Sequence, residues 1–365
     1  MRIAIDARLW GEPQSGIGRY TRSLVEALVK GAPEERWLLY VDRPARDVPG
    51  AVVTRCLPWP QRLLWTLWAA PRDLRRHPVD VFHGVTGFEL PPAACPLVTT
   101  VHDLIPLRFP ELVPARHRWA VRLLLGGALR RARRVIVVSE ATRGEVVARY
   151  RVAAEKVRVV PEAAAPHMAP PPPAETALVR ARYHLGAPYV LFVGLLEPKK
   201  NVAGLLEAVA RLVKAGAWGS TQLVLAGARG WGVGDLEAES TRLGLTGIAR
   251  WLGPVADADL PGLYAGARAF VFPSLWEGFG LPVLEAMAAG AAVVASRRGA
   301  LPELVGDAAV LTEPEAGALA EALGRVLADA PLRERLRERG FARAAQFSWE
   351  RAARETMAVY REAAA

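Results

Sequence analysis

FPSLWEGFGLPVLEAMAA, residues 272–289, decides how this chain is read. Its spacing predicts a strand that ends near Ser274, then a glycine-bearing loop, Glu277-Gly278-Phe279-Gly280. Pro282 follows at the place where a helix accepts proline at its first position, because the missing N–H would have no partner there. A strand, a glycine loop and a helix N-terminus in that order make an anion site: free backbone N–H groups point outward and the helix dipole favours negative charge. Two carboxylates frame the site, Glu277 in the loop and Glu285 in the first turns of the helix. A carboxylate accepts paired hydrogen bonds from sugar hydroxyls, so the layout suits a ligand that carries both phosphate and sugar. Taken alone, the same residues also read as a helix-dipole acid and a solvated loop acid.

Working outward, short β-rich runs alternate with helical stretches. Strands are predicted at Ile3–Asp6, Trp37–Val41, Val79–His83, Leu97–His102, Arg134–Ser139 and Val157–Pro161, with a weaker one at Val52–Thr54. A second set is predicted at Tyr189–Gly194, Gln222–Gly227, Arg250–Gly253, Ala269–Ser274 and Ala292–Ser296. Helical periodicity falls at 17–30, 61–76, 115–132 and 140–150, then at 201–215, 257–266, 282–289, 317–329 and 331–345. Val190-Leu191-Phe192-Val193 is apolar throughout, as a strand covered on both faces must be. Alternating β and α elements imply parallel, doubly wound sheets. PHMAPPPP, residues 166–173, breaks the pattern with five prolines in eight positions and reads as a stiff spacer. The expected organisation is two Rossmann-like α/β domains, 1–170 and 171–348, facing across a cleft. The tail FSWERAARETMAVYREAAA opens on Ser348, a good N-cap, with Arg351 where a capping box needs Glu or Gln. Its helix, 349–365, is expected to pack back on the first domain.

Three further constellations stand out, within 194–201, 6–20 and 99–103. GLLEPKKN, 194–201, follows the first strand of the second domain, where open α/β sheets bind ligands. The chain has only five lysines, and Lys199 and Lys200 are two of them. Lys200 suits a point charge on a diphosphate, and a solvated loop pair is the plainer alternative. Gly16 and Gly18 in SGIGRY allow close backbone approach to a ligand, or form an ordinary turn. His102, in TTVHD, is either a substrate contact or a structural histidine. Asp257-Ala258-Asp259 has the spacing of a metal-binding carboxylate pair but stands where acids cap a helix. No His, Cys and Asp spacing suits a metal, so none is assigned.

Composition bounds the rest. The chain has 365 residues, 52% of them apolar and 23% charged, which fits a soluble two-domain protein and excludes a disordered one. Residues 1–170 hold 26 basic and 16 acidic groups, while 171–365 hold 21 of each, so the net charge of +10 belongs to the first half. That asymmetry suggests an anionic partner for this half, either phosphates, nucleic acid or a membrane surface. The arginine and alanine bias also fits a GC-rich genome. Two cysteines fit a reducing compartment without a disulfide framework. Asp6 and Arg8 interrupt any signal core, and no apolar run reaches the ~18 residues of a span. A cytoplasmic location is expected, with attachment to the inner face of the cytoplasmic membrane open.

Together these residues resemble the retaining nucleotide-sugar glycosyltransferases of family 4, of GT-B fold, group 1 type and mannosyltransferase-like. EGFGLPVLE, from Glu277 to Glu285, looks like the E-x7-E signature of that family, and EPKKN at 197–201 looks like its EPRKN loop. VHDLIPLRFPE at 101–111, SGIGRYTRSL at 15–24 and GALPELVGDAAVL from 299 extend the likeness over nearly the whole chain. The resemblance implies that Glu285 binds the donor ribose and Glu277 the donor sugar. The backbone of Gly278, Phe279, Gly280 and Leu281 would hold phosphate or sugar. Lys200 would stabilise the departing diphosphate, with Lys199 beside it. His102 would contact the donor sugar, and Gly16 to Gly18 would approach diphosphate and acceptor. It also implies retention of anomeric configuration, no metal or other cofactor, and a GDP- or UDP-sugar donor, GDP-mannose first. The acceptor would be a glycan or lipid-linked glycan. One departure stands out: many members carry arginine right after the strand glycine, and here that place is Leu195.

Two other classes share parts of this pattern. In a nicotinamide dehydrogenase, Asp42 would take the ribose, but Gly16-x-Gly18 continues with Thr21 and lies far from the first strand. A two-domain sugar-binding protein would normally carry an export signal. Nucleic acid is not expected as a partner, since no recognised motif accompanies the scattered arginines. RLLWTLWAAPRDLRR (62–76) and RHRWAVRLLLGGALRRARR (116–134) mix arginine with Trp and Leu, as segments lying on an anionic membrane do. They read equally as ordinary domain-surface helices.

Overall fold

The computed structural model describes residues 1–11, 16–41, 48, 52–56, 64, 68–87, 95–113 and 115–365. These form two compact units, Met1–Glu162 with Ser348–Ala365, and Ala163–Phe347. Asp42, Ser15 and residues 61–63 and 65–67 of the predicted helix 61–76 lie outside the described residues.

The first unit is built on seven parallel strands: β1 (Arg2–Asp6), β2 (Arg36–Val41), β3 (Val52–Cys56), β4 (Val81–Gly84), β5 (Leu97–Val101), β6 (Arg134–Val137) and β7 (Val157–Val159). Their order is β3-β2-β1-β4-β5-β6-β7, so the winding reverses between β1 and β4. Ile3, Ile5, Val98, Val135 and Ile136 are buried in full, as strands with helices on both faces require. The helix Gly16–Gly31 starts at the first of the two glycines, which therefore form its opening turn rather than a loop ahead of it. The last helix, Trp349–Ala364, belongs to this unit and packs on Gly16–Gly31. Ser348 Oγ accepts from Arg351 N, so a single side chain caps it without a reciprocal acid. Glu362 near its end takes Arg134 at 2.8 Å and Arg158 at 2.9 Å.

The second unit holds β8 (Tyr189–Val193), β9 (Gln222–Ala226), β10 (Ala249–Gly253), β11 (Ala269–Phe272), β12 (Val293–Ser296) and β13 (Ala309–Thr312). Its order, β10-β9-β8-β11-β12-β13, is again all parallel and reverses between β8 and β11. The helix Val202–Lys214 turns Leu205, Leu206, Val209 and Leu212 inward at three- and four-residue spacing, which makes one apolar stripe.

The predicted elements need several additions. β13 was not expected: its four residues, AVLT, are too few and too exposed to show a period. The helices Pro173–Arg182, Leu236–Arg242 and Leu301–Val305 were also missed, being short and weakly amphipathic. Pro173, the last of the proline run, is the first residue of a helix, a position that costs no hydrogen bond.

Candidate active site

In the second unit, the two loops singled out from sequence leave neighbouring strands. Residues 194–201 follow β8 and residues 273–280 follow β11, and these strands pair with Phe270 beside Leu191. Both loops thus emerge at the carboxyl edge at the reversal point, where strand connections diverge and open a crevice.

Backbone contacts lock the loops together. Leu275 N donates to Lys199 O at 2.7 Å. Asn201, in the left-handed conformation with φ 55°, donates from Nδ2 to Pro273 O and Pro314 O. The turn Pro198–Lys200 is therefore held against the start of the glycine loop before any ligand binds.

Lys200 Nζ donates to Glu277 Oε1 at 2.6 Å, and the two residues are only 8% and 7% exposed. The ammonium also stands 4.7 Å from the centroid of the Phe272 ring. Burial alone would raise the Glu277 pKa, but the Lys200 and Lys199 charges outweigh it and hold the carboxyl below its ordinary range. Lys199 itself lies 3.5 Å from Glu197 Oε1.

Gly280 takes φ +110° as the residue that opens the helix Leu281–Ala288, and a Cβ there would meet Leu301 Cδ2 at 2.6 Å. Pro282 is the second residue of this helix, one place later than predicted, with Leu281 first. No side chain caps the N-terminus, so its N–H groups are offered by backbone alone. Glu285, 1% exposed, sits one turn inside, and Tyr264 OH donates to its Oε2 at 3.2 Å. Tyr264 carried no signal along the chain, and Gly299 entered only as the start of GALPELVGDAAVL; a Cβ there would lie 2.2 Å from Glu277 O. Ala300 N donates to that same carbonyl at 3.0 Å. The start of GALPELVGDAAVL therefore sets the backbone of Glu277, a role only the fold reveals.

Asp259 does not cap its helix. It pairs with Arg182 and accepts from Tyr183 OH at 2.8 Å, tying the helix Pro173–Arg182 to this unit. Among the described residues, no three His, Cys, Asp or Glu side chains are grouped to hold a metal ion.

In the first unit, His102 lies just past β5. Its Nδ1 is 3.0 Å from Glu162 Oε1, its Nε2 is 3.0 Å from Val85 O, and Tyr20 meets the ring edge-on at 4.7 Å. The structure thus brings Lys199, Lys200, Glu277, Gly278, Phe279, Gly280, Leu281 and Glu285 together in one unit and His102, Gly16 and Gly18 in the other.

Two doubly wound parallel sheets, with a cation, two carboxylates and an open helix N-terminus at one reversal point, fit a glycosyltransferase of GT-B fold. The family described as "Glycosyltransferase Family 4" matches residues 14–164, and "Glycosyl transferases group 1" matches 180–343. The chain is 34% identical to O-antigen chain mannosyltransferase B of Escherichia coli over 96% of each chain. It is 33% identical to the MMP alpha-(1->4)-mannosyltransferase of Mycolicibacterium hassiacum over 80% of this chain and 72% of that one. Among solved structures, WaaG, a glycosyltransferase involved in lipopolysaccharide biosynthesis, superposes with TM-score 0.79 at 18% identity over 98% of both chains. Anabaena HepE in complex with UDP and glucose does so with TM-score 0.78 at 22% identity over 98% of both. The chain belongs to the group 1, family 4 glycosyltransferases, and it is mannosyltransferase-like. The dehydrogenase and sugar-binding alternatives give way to that membership.

Proposed function

We propose that this glycosyltransferase moves mannose from GDP-mannose to a glycan or glycolipid acceptor of polysaccharide assembly, with retention and without a metal. The observation that carries it is the buried Lys200–Glu277 pair beside an uncapped helix N-terminus. An ammonium has three donors, and Glu277 takes one; the others suit the oxygens of a departing diphosphate. A carboxylate has about four acceptor sites, so Glu277 keeps capacity for a sugar hydroxyl.

In the transfer, the bond from sugar C1 to diphosphate oxygen breaks and the acceptor oxygen bonds to C1. The acceptor proton passes to the departing diphosphate oxygen, and the negative charge that remains on the diphosphate falls to Lys200 and the N–H groups of Gly280 and Leu281. Such groups are most effective when already fixed in a dry site, as these are. Glu285 takes the ribose hydroxyls, with Tyr264 holding its other edge. His102 meets the donor sugar from the first domain, and Gly16 to Gly18 approach diphosphate and acceptor. In this division of labour, residues 171–348 bind the donor and the basic domain binds the acceptor. Lys199, 3.5 Å from Glu197 Oε1, keeps donors that would supply the charge missing at Leu195.

Mannose is favoured because the two relatives above carry mannosyltransferase names. No described helix is long and apolar enough to cross a membrane. Association with an anionic surface is supported by Trp68 and Trp119, 70% and 57% exposed, near the exposed Arg72, Arg75 and Arg122 in sequence. A donor screen that follows nucleotide release tests the whole: GDP-mannose should outpace UDP-glucose with lipid-linked acceptors, in EDTA as in buffer. Release only from a UDP-sugar, or only with a divalent ion, overturns the donor or the metal-free step. NMR of the anomeric proton in the product tests retention.

A further inference from the structure

The first unit carries its own buried pair of opposite charge. Glu162 lies three residues past β7 and is the last residue before the chain leaves this unit. It faces His102 Nδ1 at 3.0 Å, while the other ring nitrogen faces the Val85 carbonyl, also at 3.0 Å. A carbonyl oxygen only accepts, and so does an ionised carboxylate. A neutral imidazole would turn a lone pair against one of them. With an ionised carboxylate on one side and a carbonyl on the other, both contacts are satisfied only when both ring nitrogens donate, that is, by an imidazolium.

The surroundings favour that charge. Glu162 and Asp103 are the acids that act on the ring. Burial works against the cation, but Glu162 above all outweighs it, and the pKa stands above the ordinary histidine value. His83, which feels the His102 charge, is kept neutral: burial above all pushes its pKa down to about 3. Its Nε2 lies 2.7 Å from Thr100 Oγ1, which lies 3.2 Å from Tyr20 OH. Tyr20, kept in its phenol form by burial, presents a ring edge to His102 with planes 87° apart. Thr142 Oγ1 donates to the His102 carbonyl at 3.3 Å. Glu162, Val85 and Tyr20 thus hold the ring.

We propose that Glu162 is a positioning residue for transfer: it locks His102 as a doubly protonated imidazolium at the carboxyl end of β5. This rests on the reading that His102 meets the donor sugar. It sharpens that role, because a ring with both N–H groups committed cannot shuttle a proton. His102 acts through its positive charge and its fixed surface.

The experiment uses full-length protein labelled with 15N-histidine; there are six histidines, and His102→Gln assigns the resonance. In the wild type, both His102 nitrogens should report as protonated at pH 7. In Glu162→Gln, burial remains and the countercharge is gone, so His102 should titrate below the ordinary histidine range. Its kcat should fall about tenfold at neutral pH, and the alkaline limb of kcat/KM should move to lower pH, with Glu162→Asp recovering part of both. A bare nitrogen on His102 in the wild type overturns the proposal without need of any variant. So does an alkaline limb unmoved in Glu162→Gln while His102→Gln is impaired. Full activity in His102→Gln instead removes the sugar contact itself, and the role of Glu162 with it.

Discussion

Lys200 Nζ and Glu277 Oε1 stand 2.6 Å apart, joining the loop after β8 to the loop after β11 across the point where the sheet reverses. Each partner makes the burial of the other tolerable, because an unpaired charge in such a place costs several kcal/mol. Lys200→Ala should therefore destabilise the second unit by about 3–5 kcal/mol, measured by denaturant unfolding. Lys200→Gln still donates to Glu277 and should fold, yet lose about 10²–10³ in kcat, the usual scale for removing one charge-stabilising group. A Lys200→Gln enzyme with full kcat removes Lys200 from the chemistry.

The same pair sets a pH limit. The Glu277 pKa is lowered in the fold, so its stabilisation is complete above the ordinary carboxylate range. It fades as pH falls through the depressed value. Donor affinity measured by calorimetry should hold from neutral pH to about pH 5 and drop only in stronger acid.

Glu285→Gln keeps an acceptor for Tyr264 but removes the charge at a position 1% exposed. Nucleotide affinity should fall roughly 10- to 100-fold, the worth of a hydrogen bond to a charged group, with little change in Tm. Unaltered nucleotide binding would place the ribose elsewhere.

Gly299→Ala adds a Cβ 2.2 Å from Glu277 O at a φ of +58°. Crowding and backbone strain together should cost at least about 2 kcal/mol and weaken donor binding by displacing Glu277. Gly244 also has a positive φ, +75°, but nothing within 4 Å of the added atom, so Gly244→Ala should cost only about 1 kcal/mol. Equal losses in the two variants would show that contact with Glu277 is not what selects glycine at 299.

The first unit should weaken in mild acid. His83 titrates at about 3 in the fold because it is buried, whereas the unfolded chain takes up the proton near 6.5. Stability is therefore lost as pH falls between those values, by about 1.4 kcal/mol per pH unit from this one group. Equilibrium unfolding at pH 7 and pH 5 should show the slope, and His83→Gln should flatten it.

If the first unit rests on an anionic surface, Trp68→Ser with Trp119→Ser should release it. Flotation with phosphatidylglycerol vesicles at low salt should fall about tenfold in the double variant, a modest loss of buried apolar area. Equal indifference of the wild type to anionic and neutral vesicles removes the membrane reading.

Much of this was legible along the chain, for a physical reason. Fully apolar strands such as Val190–Val193, spaced by helical periods, permit little except buried parallel sheets. The loops were legible too, since glycine, proline and lysine at strand ends restrict backbone and charge locally. EGFGLPVLE and EPKKN needed no knowledge of distant residues to suggest phosphate and sugar. What stayed hidden depends on positions far apart in sequence. Tyr264 reaches Glu285 from another helix, Gly299 approaches Glu277 from the turn after β12, and Glu162 meets His102 across 60 residues. Asp259 looked like a cap because capping is local chemistry, and the fold gave it Arg182 and Tyr183 instead. Local pattern by itself determined the class of fold, the family and the residue types at the site. Only tertiary packing decided which charges are buried, what they pair with and hence which protonation states they hold. Burial and distance, the two quantities that set a charge's energy, do not exist until the chain has folded.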